Sequence, residues 1–101
     1  MADTVNDRTA AAYELGCSRG WDHANFVDAY GPEHEKHKRD VDTPYEEIRD
    51  GHPLYWSMTW QERRDENELR TLQRAQFMRG WTDGRKRFHR NQYPDGTKIE
   101  D

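Results

Sequence analysis

The chain has 101 residues, of which 36% are charged and 32% hydrophobic, and its formal net charge is -4. This length predicts one domain with a single small core. Four tryptophans and an aromatic content of 12% argue against a disordered chain, which lacks such anchors. Cys17 is the only cysteine, which excludes an internal disulfide. No apolar run is long enough for a signal peptide or a membrane span, so we expect a cytoplasmic protein without a membrane partner.

The first predicted element is a helix from about residue 6 to residue 30. Gly31 and Pro32 then supply a stop signal. Small and apolar residues recur through this stretch at three- and four-residue spacing, which places them on one helical stripe. The stripe consists of Tyr13, Cys17, Gly20, Ala24 and Val27. On such a stripe, Cys17 is expected to be a buried small hydrophobe and not a nucleophile.

A connector and a short central helix are predicted next. Residues 32–40 are charged throughout and have no periodicity, which is typical of a connector. In the following run, Thr43 can cap a helix, Pro44 suits its first position, Glu46 completes a capping box and Gly51 can close the end. This pattern predicts a short helix over residues 43–51.

The second half of the chain predicts a long helix over residues 54–88, or two helices that break near residues 63–67. Its apolar positions are Leu69, Leu72, Ala75, Phe77, Met78, Trp81 and Phe88. Residues 91–101 contain turn residues and little to bury, so we expect a loose tail. The prediction is an all-α single domain of two or three main helices, with a short central helix and a folded core over about residues 5–90.

The tryptophans near the start of this long helix have a default role. Trp56 and Trp60 are four residues apart, which in a continuous helix places them on one face, and in a small protein we expect them to lie in the core. Tryptophan is also common in protein interfaces. With four tryptophans and few aliphatic residues, at least one aromatic side chain should remain partly exposed.

Two stretches of the chain echo each other. Residues 12–21 and 76–85 each contain an aromatic residue, a glycine three positions later and a second glycine after four more. Glycine inside a helix costs about 1 kcal/mol against alanine, so a pair on one face suggests a purpose. The pair Gly80 and Gly84 could let the other helix approach closely, or form a notch for a partner anchored by Trp81.

Charge is distributed unevenly along the chain. Residues 40–68 carry nine acidic side chains against three arginines, whereas residues 79–90 carry five cations against Asp83. The cationic stretch could meet phosphate and the acidic stretch a basic protein surface, or the two could neutralise each other. The predicted binding residues are Arg79, Gly80, Trp81, Gly84, Arg85, Lys86, Arg87 and Arg90.

Three groups of residues resemble the ribosome modulation factor family. They are the spaced residues Ala12, Gly16 and Gly20, the pair Pro44-Tyr45, and the run from Phe77 to Gly84. Residues 80–97 also resemble the first half of the same pattern, so the resemblance suggests one and a half copies over about half of the chain. Members of this family are small, helical and non-enzymatic, and they dock on ribosomal RNA and proteins during ribosome hibernation. The resemblance therefore implies a ribosome or RNA partner.

Catalytic and metal chemistry have little support in the sequence. His34 and His37 are three residues apart, whereas the zinc protease motif requires histidines four apart. Adding His23 or Asp22 leaves too few clustered ligands for a metal site. We therefore expect no enzyme activity, no metal and no cofactor. The alternative function is a small adaptor or inhibitor, phage-encoded in one version, that binds a host protein or nucleoprotein complex through acidic and aromatic surfaces; a homodimer is left open.

Overall fold

The computed structural model describes residues 4–31 and 44–100, and within these ranges it contains two long helices and no strand beyond an isolated bridge. Helix α1 spans Thr4–Tyr30 and helix α2 spans Trp60–His89, with a short 3-10 helix at Tyr55–Ser57 before α2. The predicted all-α class is confirmed. The long second helix is unbroken near residue 65, but it begins later than predicted, at Trp60 and not at Leu54.

The two long helices run parallel and pack directly on each other. Gly16 of α1 lies against Phe77 of α2, and four residues later Gly20 lies against Trp81, so positions along both helices advance together. In a parallel pair, the C-terminus of α1 and the N-terminus of α2 lie at opposite ends of the pair. The connection between them must therefore run back along the length of the helices. The described part of this return is residues 44–59.

The return segment, which we define as residues 44–58, runs back along α2 and is held there by α2 side chains. Asn67 binds both backbone groups of Ile48, at 2.7 and 3.1 Å. Arg74 donates to the carbonyl of Tyr45 at 2.6 Å. Arg63 donates to the carbonyls of Tyr55 and Met58 at 2.8 and 2.6 Å, near the start of α2. These contacts fix a largely irregular segment whose regular structure is the 3-10 helix at Tyr55–Ser57.

The predicted central helix over residues 43–51 is wrong for the part that the structure describes, since residues 44–51 consist of a bend, an irregular stretch and a turn. The backbone groups that a helix would pair internally are bonded instead to α2: the Ile48 N–H and C=O to Asn67, and the Glu46 C=O to Arg70 at 2.8 Å. One short turn of helix has a costly nucleus and little cooperativity, so tertiary bonds outcompete it. Thr43, the predicted cap, and the predicted connector lie outside the described residues.

The core is thin and lies between α1, α2 and the return segment. Cys17 is buried as predicted, at 3% exposure. The other buried hydrophobic residues are Ala12, Ala24, Ile48 and Phe77. The predicted apolar face of α2 is only half correct, because Leu72, Ala75 and Met78 are exposed. Neither helix within the described residues is long and apolar enough to cross a membrane.

Local signals set both ends of α2. Thr59 caps its start: the Glu62 N–H donates to the Thr59 hydroxyl at 3.1 Å, and the Thr59 N–H donates to the Glu62 carboxylate at 3.0 Å. At the other end, Asn91 adopts a left-handed conformation, and the Gln92 N–H reaches the Arg87 carbonyl at 2.9 Å. This is the Schellman arrangement that terminates many helices.

Residues 91–100, after α2, form a hydrogen-bonded turn where we expected a loose tail. The Gly96 N–H donates to the Tyr93 carbonyl across Pro94 and Asp95 at 2.9 Å, and residues 92 and 98 form an antiparallel bridge. Proline and aspartate at the centre of a turn, followed by glycine, is a typical β-turn signature. This C-terminal turn, residues 91–100, contacts α1 through the Trp21 indole N–H, which donates to the Gln92 carbonyl at 2.6 Å.

Candidate nucleic-acid interface

The four helical glycines form the contact between α1 and α2, which we call the glycine seam. A Cβ atom added to any of them would overlap a carbonyl oxygen of the opposite helix. The pairs are Gly16 with Phe77, Gly20 with Trp81, Gly80 with Tyr13, and Gly84 with Cys17. The echo between residues 12–21 and 76–85 thus corresponds to two segments that pack reciprocally. Gly80 and Gly84 are occupied by α1, so the helix-approach interpretation is confirmed.

Trp81 lies at the edge of the glycine seam and is half-buried. Its ring packs on the buried ring of His23 from α1, with centroids 4.9 Å apart. The Arg85 guanidinium lies 5.0 Å from the centre of the Trp81 ring, in a cation–π contact. Trp81 therefore contributes mainly to the helix pair, and Arg85 covers its outer edge.

Arg87 is directed inward, between α1 and the C-terminal turn. Its guanidinium donates to the Pro94 carbonyl at 2.7 Å, to the Cys17 sulfur at 3.3 Å and to the Tyr13 hydroxyl at 3.3 Å. A cation that makes three such contacts connects α1, α2 and the turn. The sequence alone predicts Arg87 as a binding residue, because neighbouring charges are equivalent until the helical face of each is known.

The Tyr13 hydroxyl links the same group to α2. It donates to the Asp83 carboxylate at 2.6 Å, and this bond, together with burial, raises the pKa of Tyr13 to about 12. A hydrogen bond to the neutral phenol favours the protonated form. Asp83, the acid within the cationic stretch, is thereby committed to an internal contact.

Three predicted binding residues remain on the outside of α2. Arg79 and Lys86 of α2, and Arg90 directly after its last residue, are exposed, and their spacing of seven and four residues places them along one side of the helix. We call this set the cationic stripe. Within the described residues, none of the three side chains has a hydrogen bond or ion pair. The cationic stripe is thus the part of the predicted patch that a phosphate backbone could reach.

The acidic stretch divides in a similar way. Glu66 lies inside, where Arg8 binds it through two bonds of 2.7 Å and Arg70 through one of 2.7 Å. The hydrogen bond from Arg8 is the main reason that the pKa of Glu66 falls to about 2. The remaining described acids of this stretch are on the surface: Glu46, Glu47, Asp50, Glu62, Asp65 and Glu68.

The expectation that Trp56 and Trp60 belong to the core is wrong. Trp56 is 83% exposed and Trp60 is 64% exposed, and Leu54 nearby is 44% exposed. We call these three residues the aromatic patch. The chain is extended at Met58, so the spacing of the two tryptophans does not fall within one helix. The Thr59-x-x-Glu62 capping box was the sequence signal that could have revealed this break. The expectation of an exposed aromatic residue is confirmed.

The predicted weak metal ligands His34 and His37 lie outside the described residues. Among residues 4–31 and 44–100, no three His, Cys, Asp or Glu side chains are grouped so that they could hold a metal ion. Comparison of the chain with protein-family models, with curated proteins and with solved structures gave no match.

Proposed function

We propose that this protein is a non-enzymatic, cytoplasmic RNA-binding factor that associates with ribosomes through the cationic stripe. The observation that carries the proposal is that Arg79, Lys86 and Arg90 share one exposed face and make no internal ion pair within the described residues. In a chain with net charge -4, RNA affinity must depend on such a local patch. The resemblance of its motifs to the ribosome modulation factor family supports the choice of partner.

Two of the five cations in residues 79–90 have internal contacts and are left out of the proposed RNA site. Arg87 is bound to the Pro94 carbonyl and lies in the fold, so its replacement would disturb the C-terminal turn whether or not RNA binds. Arg85 lies over the Trp81 ring, beside the cationic stripe but not part of it. Three phosphate contacts predict weak binding, with a logarithmic salt dependence of slope about -2 on single-stranded RNA.

The test is the triple variant Arg79→Glu, Lys86→Glu and Arg90→Glu, measured by cosedimentation with ribosomes and by anisotropy of a labelled single-stranded RNA. We expect binding to be lost and the salt dependence to flatten. The matched control is Arg19→Glu, Arg49→Glu and Arg64→Glu, which changes the net charge equally at exposed arginines outside the stripe. Equal loss in both variants, or no loss in the first, would refute the cationic stripe as the RNA site. A mild ribonuclease treatment that digests free RNA but leaves ribosomes intact separates the two partners. Cosedimentation that persists after this treatment indicates binding to ribosomes.

A further inference from the structure

The aromatic patch exposes three large apolar side chains to solvent. Trp56 and Trp60 are 83% and 64% exposed, and Leu54 is 44% exposed. Two tryptophans at this exposure present on the order of 300 Å² of mainly apolar surface. Large exposed apolar side chains grouped in one short stretch often mark an interaction site.

The patch is held in place by the fold and does not depend on a flexible loop. The Arg63 guanidinium bonds the carbonyls of Tyr55 and Met58 and stacks 4.2 Å from the centre of the Tyr55 ring. Tyr55 in turn meets the Trp56 ring edge-on at 4.9 Å. Trp60 occupies the first turn of α2, directly after the Thr59 cap. Both tryptophans are thus anchored at their backbones while their rings face outward, and ordering them on binding costs little entropy.

Charge around the patch indicates the kind of partner. Within residues 44–68, six acidic side chains are exposed, against two exposed arginines, Arg49 and Arg64. Both arginines already have carboxylate neighbours: Arg49 pairs with Glu47 at 3.1 Å and Arg64 lies 3.6 Å from Glu68. The exposed side chains of residues 44–68, which include the aromatic patch, are therefore net negative, and such a surface repels a phosphate backbone and attracts cations.

We propose that the aromatic patch is a docking site for a Lys/Arg-rich segment of a partner protein. The Trp56 ring can accept a lysine or arginine on its face by cation–π attraction, as Trp60 already does with Arg64 at 5.5 Å. The surrounding carboxylates then pair with the flanking cations of the segment and set its orientation. This site is at the opposite end of α2 from the cationic stripe and does not depend on RNA binding there.

The probe is a short fluorescein-labelled peptide in which lysine and arginine alternate with serine, compared with a peptide in which glutamate replaces every cation. We expect the wild-type chain to bind the cationic peptide and not the acidic one, measured by anisotropy at low ionic strength. The double variant Trp56→Ala, Trp60→Ala should bind the cationic peptide at least about tenfold more weakly. Asp65→Lys with Glu68→Lys should also weaken it.

The control variant removes two exposed apolar side chains elsewhere on α2. Leu72→Ala with Met78→Ala, whose side chains are 51% and 48% exposed, should leave peptide binding unchanged. Trp56→Ala alone serves if the double variant loses helicity, because Trp56 lies outside α2. The proposal is overturned if the wild type fails to bind the cationic peptide or if the tryptophan variants bind it equally well. Binding of the acidic peptide or of RNA at this patch, or self-association lost with the tryptophans, would also overturn it.

Discussion

The glycine seam and the aromatic patch reverse the usual locations of small and large residues. Glycines form the buried helix contact, whereas two tryptophans lie on the surface. The seam has no side chains at its four glycine positions, and the two helix backbones are in direct contact there. The aromatic patch has the largest side chains and leaves them in solvent. In this thin protein, glycines let the two helix backbones pack closely without large side chains between them. The exposed tryptophans are therefore not needed for this helix contact.

Among the glycine seam, Arg87, Glu66 and the aromatic patch, the seam should give the largest change in the free energy of unfolding when it is altered. Gly80→Ala places a Cβ against the Tyr13 carbonyl, a backbone atom that cannot rotate away. We expect it to lower the free energy of unfolding by about 1 to 3 kcal/mol despite the gain of about 1 kcal/mol in helix propensity, and Gly80→Leu to cost more. Urea denaturation measures both.

A control on the same helix separates packing from propensity. Ala75→Leu enlarges an exposed position of α2 and should change the free energy of unfolding by less than about 0.5 kcal/mol. If Gly80→Ala instead stabilised the protein, the backbones would not be in contact at the seam, and the parallel arrangement of α1 and α2 would be wrong.

Arg87 should give the next largest effect, because it joins the seam to the C-terminal turn. Arg87→Ala removes the bonds to Pro94, Cys17 and Tyr13, and hydrogen bonds from a charged group are worth about 1.5 to 3 kcal/mol. We expect a loss of about 2 kcal/mol in urea denaturation and faster proteolysis after residue 90. Lys86→Ala is the matched control, since its side chain is exposed, and it should change neither measurement. Equal effects of the two variants would contradict the inward position of Arg87.

Glu66 predicts how the pairing of α1 with α2 depends on pH. Its pKa is lowered to about 2 from an ordinary 4.5, so the folded state favours the carboxylate. Its contribution is therefore complete above pH 4.5 and is lost as the pH falls toward 2. Allowing for solvent screening, we expect roughly 1 to 2 kcal/mol.

The measurement is urea denaturation of the wild type and of Glu66→Gln across this acidic range. The wild type should lose stability faster than the variant as the pH falls, and the two should converge at the acid end. The control Glu68→Gln changes an exposed acid and should follow the wild type. Parallel curves for the wild type and Glu66→Gln would mean that Arg8 and Arg70 do not hold this carboxylate.

Much of this architecture could be predicted from residues that act locally. The span of α1 followed from periodicity and Gly31, and the close approach at Gly80 followed from the repeated glycine spacing. The course of the return segment could not be predicted, because it depends on Asn67 and Arg74 reaching backbone groups 19 and 29 residues away. The sequence also could not separate the inward-facing from the exposed charged side chains. Arg87 and Lys86 are neighbouring cations, and only their helical faces decide which one contacts the fold.

The smallest expected effect is at the aromatic patch, and it completes the contrast with the seam. Trp56 is 83% exposed, so Trp56→Ala should change the free energy of unfolding by less than about 0.5 kcal/mol. Phe77, which is 3% exposed, provides the comparison: Phe77→Ala should cost about 3 to 5 kcal/mol. Thermal and urea denaturation of the two variants measure the difference. A loss at Trp56 as large as that at Phe77 would place this tryptophan in the core after all, and the aromatic patch would then be part of the fold and could not serve as a surface for a partner.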